Sequence, residues 1–355
     1  MKTPAPRWVC LQLLQACNLR CSMCYEWGKT GVHKKAVAPA ELPFDVVERI
    51  IDEVAPYRPH IDLFGGEPLL YPQLGSVIER GKRGGCTVDL VTNGTALEEQ
   101  ADFLVHAGLD RLFVSLDGPQ PINDRQRGKG TFSRVERGLA ALGAARARRG
   151  VQKPRIGITF VVTTANHHAI AETFLTALDR RDIDFISIEY QSYLLSDQLD
   201  AYRQLLRDRF ATEAVRFAVG LVRDPAEFSA IDVAGVSAQI ETVREVYESE
   251  GKHVITHPRV TTVENSMAYF AGRFEAMSDY HRRCVFPWLY AEVSASGDVT
   301  PCHTFYDLTF GNVKEQSLLE IWRGERFEDA RRFFRNNLSP VCHACCLYHT
   351  DLAPS

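Results

Sequence analysis

Between Trp8 and Gln191, short apolar runs alternate with amphipathic stretches, and this constrains the fold more than any other feature. Strands are expected at 8–14 (WVCLQLL), 60–64 (HIDLF), 86–92 (CTVDLVT), 111–117 (RLFVSLD), 156–164 (IGITFVVTT) and 185–191 (FISIEYQ). These short apolar runs are read as ending at Gly, Asn, Asp or Thr. Helices are expected at 43–57, 74–83, 97–108, 132–149 and 167–181; in the first, Val46, Ile50, Ile51 and Val54 recur at helical spacing. Such alternation implies parallel strands joined by right-handed crossovers, in a sheet that is open or partly closed. Residues 196–283 read as mostly helical and polar. After Cys284 the pattern becomes short strands and turns (WLYAEVSASGDVTPC), then a helix (SLLEIWRGERFEDARRFFRN).

The ten cysteines are unevenly placed. Cys17, Cys21 and Cys24 stand at the front; Cys284, Cys302, Cys342, Cys345 and Cys346 fall in the last quarter. Cys10 and Cys86 sit in apolar stretches and read as small buried hydrophobes. The N-terminus has no stretch of signal-peptide type and nothing approaches a membrane span, so a reducing cytoplasm is the expected setting. Thiols there read as metal ligands or catalytic groups before disulfides. The net charge of −4 argues against a nucleic-acid-binding surface. The basic runs at 145–150 and 329–335 read as polar helix faces.

In a parallel α/β fold, ligands gather at the carboxyl ends of the strands. The three-cysteine loop follows the first strand, GGEP (65–68) the second and TNGT (92–95) the third. SLDG (115–118) ends the fourth, with RQRGKGTF (125–132) just beyond. Four such loops at one edge describe one site. A structural zinc ion wants four ligands, commonly in two CxxC pairs. CNLRCSMC offers three thiols at a different spacing, and three thiolates on a four-iron cubane leave one iron open.

CNLRCSMC, a C-x3-C-x2-C run followed by Tyr25, resembles the signature of the radical S-adenosylmethionine (SAM) superfamily. GGEP, TNG, SLDG and RGKGTF fall where that family's other motifs fall. The resemblance implies an α/β fold, a partial (β/α)6 TIM-like barrel over residues 7–195, then a helical connecting region (196–283). Carried over, Cys17, Cys21 and Cys24 hold a [4Fe–4S] cluster whose open iron takes SAM. Gly65, Gly66 and Glu67 receive the SAM amino group. Ser115 and Arg127 are candidates for its carboxylate, and Asn93 and Asp117 for ribose or methionine contacts; Tyr25 lies near the adenine. The family's reaction is reductive cleavage of SAM to a 5′-deoxyadenosyl radical that abstracts hydrogen from a substrate.

The spacing of Cys284, Gly297 and Cys302, with GNVKEQSLLEIWRG (311–324), resembles the auxiliary-cluster extension called SPASM. The cysteines of a second auxiliary cluster are missing, so the shorter one-cluster "twitch" form, residues 284–350, fits better. Cys284, Cys302, Cys342 and Cys345 would ligate an auxiliary [4Fe–4S] cluster, with Cys346 as an alternative ligand or a hydrogen-donating thiol. Zinc is the competing reading of these spacings. A fully ligated cluster suits electron transfer, as in dehydrogenation, epimerisation or bond formation. Only seven residues precede the first strand, which tilts the expected substrate toward a small molecule such as a sugar, nucleoside or natural-product precursor. The alternative is a ribosomal-peptide maturase; the distant alternative is a non-enzymatic iron–sulfur or zinc protein. Expected partners are the substrate and a reductase such as flavodoxin or ferredoxin, with no nucleic acid and no membrane. Tyr190, Gln191 and His303 are candidates for the substrate pocket.

Overall fold

A computed structural model describes residues 3–28, 31–33, 38–280, 283–345 and 348. Six parallel strands lie side by side in chain order: β1 (Trp8–Leu14), β2 (His60–Gly65), β3 (Thr87–Thr92), β4 (Arg111–Ser115), β5 (Arg155–Val162) and β6 (Phe185–Tyr190). Between them come α1 (Phe44–Val54), α2 (Leu74–Arg83), α3 (Leu97–His106), α4 (Gln120–Arg127), α5 (Thr131–Arg149) and the single turn α6 (Ile170–Glu172). β7 (His253–His257) pairs in parallel with β6, beyond α7 (Ser196–Phe210) and α8 (Val233–Ser249). After α9 (Val263–Phe270), β8 (Tyr290–Val293) pairs in parallel with β1, and β9 (Asp298–Thr300) and β10 (Gly311–Asn312) continue antiparallel. α10 (Leu318–Trp322) and α11 (Glu325–Phe334) follow, then a helical turn at Pro340–Ala344. The ten strands form one sheet, a partial barrel with the C-terminal region joined through β8.

Strand alternation sorts the two faces of this sheet. Val9, Leu11, Ile61, Leu63, Val88, Leu90, Leu112 and Val114 pack beneath the helices with at most 1% exposure. The register places Cys10, Asp62 and Asp89 together on the opposite, concave face. Glu292 joins them across β8, as does Glu189 farther round on β6. Purely parallel sheets usually bury both faces in apolar contact; here the concave face is polar, as a binding space requires. Its floor is a closed ion network. Trp8 Nε1 donates to Asp62 at 2.6 Å; His60 Nε2 lies 2.7 Å from Asp62 and 3.1 Å from Asp89, and Arg111 Nε lies 2.5 Å from Asp89.

The structure corrects three expectations. The helix expected over 167–181 is one α turn followed by a π-helical stretch, Thr173–Ala177. There Leu178 N–H reaches back five residues to the Thr173 carbonyl, and the Thr173 hydroxyl bonds the Ala169 carbonyl, competing with the α ladder. The region 196–283, read as mostly helical, contributes β7: five residues are too few to show a period against helical flanks. The loop around 125–132 is largely helical, split by Gly128 into the end of α4 and the start of α5.

Candidate active site

The cysteine loop hangs from the end of β1 and is fastened by its neighbours. At the β1–β2 edge the register slips between Gln12 and Leu14, and Gly65 takes φ +135°. This irregularity turns the GGEP loop under the cysteine loop. Gly66 is required by contact: a Cβ there would stand 2.2 Å from the Ala16 carbonyl oxygen and 2.3 Å from that of Gln15. Glu67 is 1% exposed and ties two loops together, accepting from Leu69 N–H at 3.0 Å, Thr92 Oγ1 at 2.6 Å and Asn93 N–H at 2.7 Å. Burial raises its pKa against those three bonds. Asn93 Nδ2 donates to Asn18 at 2.8 Å and reaches Cys17 Sγ at 3.9 Å.

Cys17, Cys21 and Cys24 are each half-buried, and nitrogen donors face their sulfurs. Leu19 N–H lies 3.5 Å from Cys17 Sγ, Trp27 N–H 3.3 Å from Cys24 Sγ and Arg127 Nη1 4.0 Å from Cys21 Sγ. Burial pushes the Cys17 thiol up to about 12 and raises Cys21 and Cys24; Arg127 opposes the rise at Cys21. Buried thiols of this kind ionise when a metal takes the proton's place. The three sulfurs do not all converge within 4.8 Å of one another. A single tetrahedral zinc would hold sulfurs about 4 Å apart, so the wider setting fits a polynuclear cluster.

Arg127 is 9% exposed, and its Nε lies 2.5 Å from Asp117 Oδ2. Asp117 is fully buried, and its other oxygen accepts Val161 N–H at 2.8 Å. This side chain therefore positions Arg127 and β5, while Arg127 points its remaining face at Cys21. Ser115 is half-buried on the concave face, in register with Thr159. Tyr190 lies on the opposite face: it stacks on Phe270 at 4.7 Å between ring centres and its hydroxyl meets Ser266 at 2.6 Å. Gln191 is half-buried, and its carbonyl accepts the Tyr269 hydroxyl at 3.2 Å.

The C-terminal thiols come together from three segments. Cys284 precedes β8, Cys302 follows β9, and Cys342 and Cys345 lie in and just after the turn Pro340–Ala344. Burial pushes Cys284 and Cys302 up to about 12 and raises Cys342 well above the usual thiol range, and their mutual repulsion adds to each rise. Cys346 lies outside the described residues.

The two cysteine loops meet. Tyr25, next to Cys24, hydrogen-bonds through its hydroxyl to Nε2 of His303, next to Cys302, at 3.0 Å. His303 Nδ1 faces Glu292 at 3.1 Å, and its ring packs edge-on against Phe64. Burial by itself would lower the His303 pKa, but Glu292, with Glu26 and Glu189 adding to it, raises it. Glu292 also accepts from Gln12 at 3.1 Å, Tyr290 at 2.8 Å and Tyr306. Burial raises Glu26 to about 7, His303 opposing. Sequence reasoning found His303 but missed Glu26, Glu189, His257 and Glu292, single polar residues among apolar or loop neighbours.

Against known proteins, residues 11–177 match the model of the radical SAM superfamily, and residues 284–346 match an iron–sulfur cluster-binding domain, SPASM. The chain carries a radical SAM domain followed by a SPASM domain. It is a radical SAM enzyme, and the two domains bring a SAM-binding [4Fe–4S] cluster and an auxiliary cluster. It is 28% identical to the AdoMet-dependent heme synthase of Methanosarcina barkeri, over 90% of this chain and 83% of that one. It is 25% identical to the PqqA peptide cyclase of Ruegeria pomeroyi, over 99% and 82%. Streptococcus suis SuiB bound to S-adenosylmethionine shares the fold, with TM-score 0.62 and 16% identity, over 97% of this chain and 71% of that one. No helix among the described residues is long and apolar enough to cross a membrane.

Proposed function

We propose that Cys17, Cys21 and Cys24 hold the SAM-binding cluster, that Cys284, Cys302, Cys342 and Cys345 hold a single auxiliary cluster, and that a small molecule reacts on the concave face between them. The observation that carries this reading is the 3.0 Å bond from Tyr25 to His303, which joins the two cysteine loops and so supports a shared site. When bound, the first cluster supplies the electron that cleaves SAM to a 5′-deoxyadenosyl radical. The residues of the chain bind and orient. Gly65 and Gly66 bring backbone close enough to receive the SAM amino group, Asn93 steadies the cysteine loop, and Arg127 with Ser115 faces the carboxylate. Asp117 fixes Arg127, and Glu67 fixes the loops after β2 and β3. Residues 7–195 form the barrel, 196–283 its flank and 284–350 the auxiliary domain. Cys284, Cys302, Cys342 and Cys345 would hold a cluster able to exchange an electron with the substrate, and flavodoxin or ferredoxin in the cytoplasm would supply the reducing electron.

Anaerobic reconstitution, iron and sulfide analysis, then dithionite and SAM test the reading. Two clusters per chain and 5′-deoxyadenosine are expected; zinc in the purified protein with no 5′-deoxyadenosine sinks it. A peptide substrate is the second reading, favoured by the near-full-length similarity to a protein named PqqA peptide cyclase. A short peptide encoded beside this gene that takes up a modification on incubation would reverse the choice.

A further inference from the structure

Tyr202 carries a hydroxyl that the polypeptide does not engage. The side chain lies on α7, fully buried, and its hydroxyl meets no donor or acceptor among the described residues. A buried hydroxyl of this kind is costly, and native structures supply a partner from protein, water or ligand. Its surroundings are those of the rear cysteines. α7 packs on the helical turn Pro340–Ala344, which carries Cys342. The Tyr202 ring meets that of Phe305 edge-on, with centres 5.4 Å apart. Phe305 belongs to the turn that leaves Cys302, its N–H donating to the Cys302 carbonyl at 3.1 Å. Tyr202 thus stands where the segments bearing Cys302 and Cys342 come together. Burial raises the pKa of its phenol well above the usual value, and Asp307, Cys302 and Cys342 add to the rise. Asp307 is already engaged: its carboxylate accepts the N–H groups of Arg216, Phe217 and Ala218 at 2.6, 2.8 and 3.0 Å. A second hydroxyl, Ser339 Oγ at the head of the turn that carries Cys342, is also buried without a partner. Two such hydroxyls beside one group of thiols fit an iron–sulfur cluster there, whose sulfurs accept hydrogen bonds.

We propose that the Tyr202 hydroxyl donates a hydrogen bond to a sulfur of the cluster held by Cys284, Cys302, Cys342 and Cys345, and so raises its reduction potential. The inference rests on the functional reading above and deepens it by naming the residue of the chain that tunes the auxiliary centre. A phenol is a neutral donor, and a donor aimed at sulfur favours the more negative, reduced state of a cluster. Hydrogen bonds to sulfur are among the levers that set such potentials. Tyr202 is a positioning residue in this scheme: it acts through the cluster and touches no reacting atom.

The test is Tyr202→Phe, which keeps the ring and removes the hydroxyl. It is made in a chain that also carries Cys17→Ala, Cys21→Ala and Cys24→Ala, so that the auxiliary cluster gives the only signal. The reconstituted protein is titrated electrochemically without SAM or substrate and followed by electron paramagnetic resonance. Iron content should stay as in the parent, while the ratio of reduced to oxidised cluster at a fixed potential falls about tenfold. For a one-electron couple that is a shift of about 59 mV to lower potential. The metal-free protein should behave differently: Tyr202→Phe should withstand guanidinium at least as well as its parent, because the lost hydroxyl had no partner there. A second variant, with 3-fluorotyrosine in place of Tyr202, keeps the hydroxyl as a stronger donor and should move the potential upward. An unmoved potential in both variants overturns the inference alone, as does a loss of stability in the metal-free Tyr202→Phe protein, which would give the hydroxyl a protein partner. Zinc in place of iron in the parent overturns the functional reading and this inference with it.

Discussion

The two cysteine sites are built from the same side chain and solve different problems. At the front, half-buried sulfurs face backbone N–H groups, Asn93 and the guanidinium of Arg127. Glycine at Gly65 and Gly66 lets the loop after β2 pack directly on the backbone of Leu14, Gln15 and Ala16 beneath the cysteine loop. At the rear, Cys342 and Cys345 are 6% exposed while Cys284 and Cys302 are half-buried; backbone N–H groups face these sulfurs too, and the side chain near Cys302 is the neutral hydroxyl of Thr304, at 3.7 Å, rather than a guanidinium. The first arrangement suits a centre that must admit and hold a charged ligand; the second suits one that exchanges only electrons. Hydrogen bonding to sulfur and exposure are among the levers that set cluster potentials, so the two should differ in potential as well as access.

The strongest test of that contrast removes one ligand from each side. Cys21→Ser should cut 5′-deoxyadenosine formation at least about a hundredfold, more than the loss of a mere supporting residue. Retained cleavage would place SAM elsewhere. Cys302→Ala should lose about half the bound iron, since one of two four-iron clusters goes, yet still cleave SAM on reduction while product formation stops. If both substitutions abolish cleavage alike, the division of labour between the sites fails.

A smaller effect tests what supports the front site. Arg127→Met leaves Asp117 fully buried without its cation. A broken buried pair of this kind costs about 3–5 kcal/mol, to be read by guanidinium denaturation of the apoprotein beside the SAM affinity of the reconstituted form. Unchanged stability would mean that Asp117 has another partner.

The smallest effect concerns the barrel floor, which touches neither cysteine site. Burial by itself would lower the pKa of His60, but Asp62 and Asp89 overcome that and raise it from 6.5 to about 9. A shift of that size corresponds to roughly 3 kcal/mol. Because the folded value lies above the unfolded one, the stabilisation is complete below about pH 6.5. It fades as pH rises through 9. The stability difference between wild type and His60→Gln should therefore shrink from pH 6 to pH 10, with the wild type superior at the acid end. A constant difference would refute the charged network.

Much of this architecture was legible beforehand. β1 and α2 have the bounds their periodicity suggests, and β2, β3 and β6 differ by one residue at an end. A strand with one apolar face and helices on that side leave a strong periodic signal. The π-helical stretch at Thr173–Ala177 and β7 left none, because hydroxyl competition and the pairing of β7 with β6 decided them. Tyr190 shows the same limit: one residue's shift along a strand changes its face, and it packs among helices rather than in the pocket.

By itself, then, the sequence determined the parallel α/β class, the grouping of Cys17, Cys21 and Cys24, and the set of loops at one edge, because period and short-range spacing are local properties. Only the tertiary structure decided that Tyr25 meets His303 across 278 positions of chain, that Asp117 pairs with Arg127, and that Glu292 gathers Gln12, Tyr290, His303 and Tyr306. Those facts depend on which strands lie side by side and which face each residue takes, and no local pattern of residues encodes a partner that arrives from the far end of the chain.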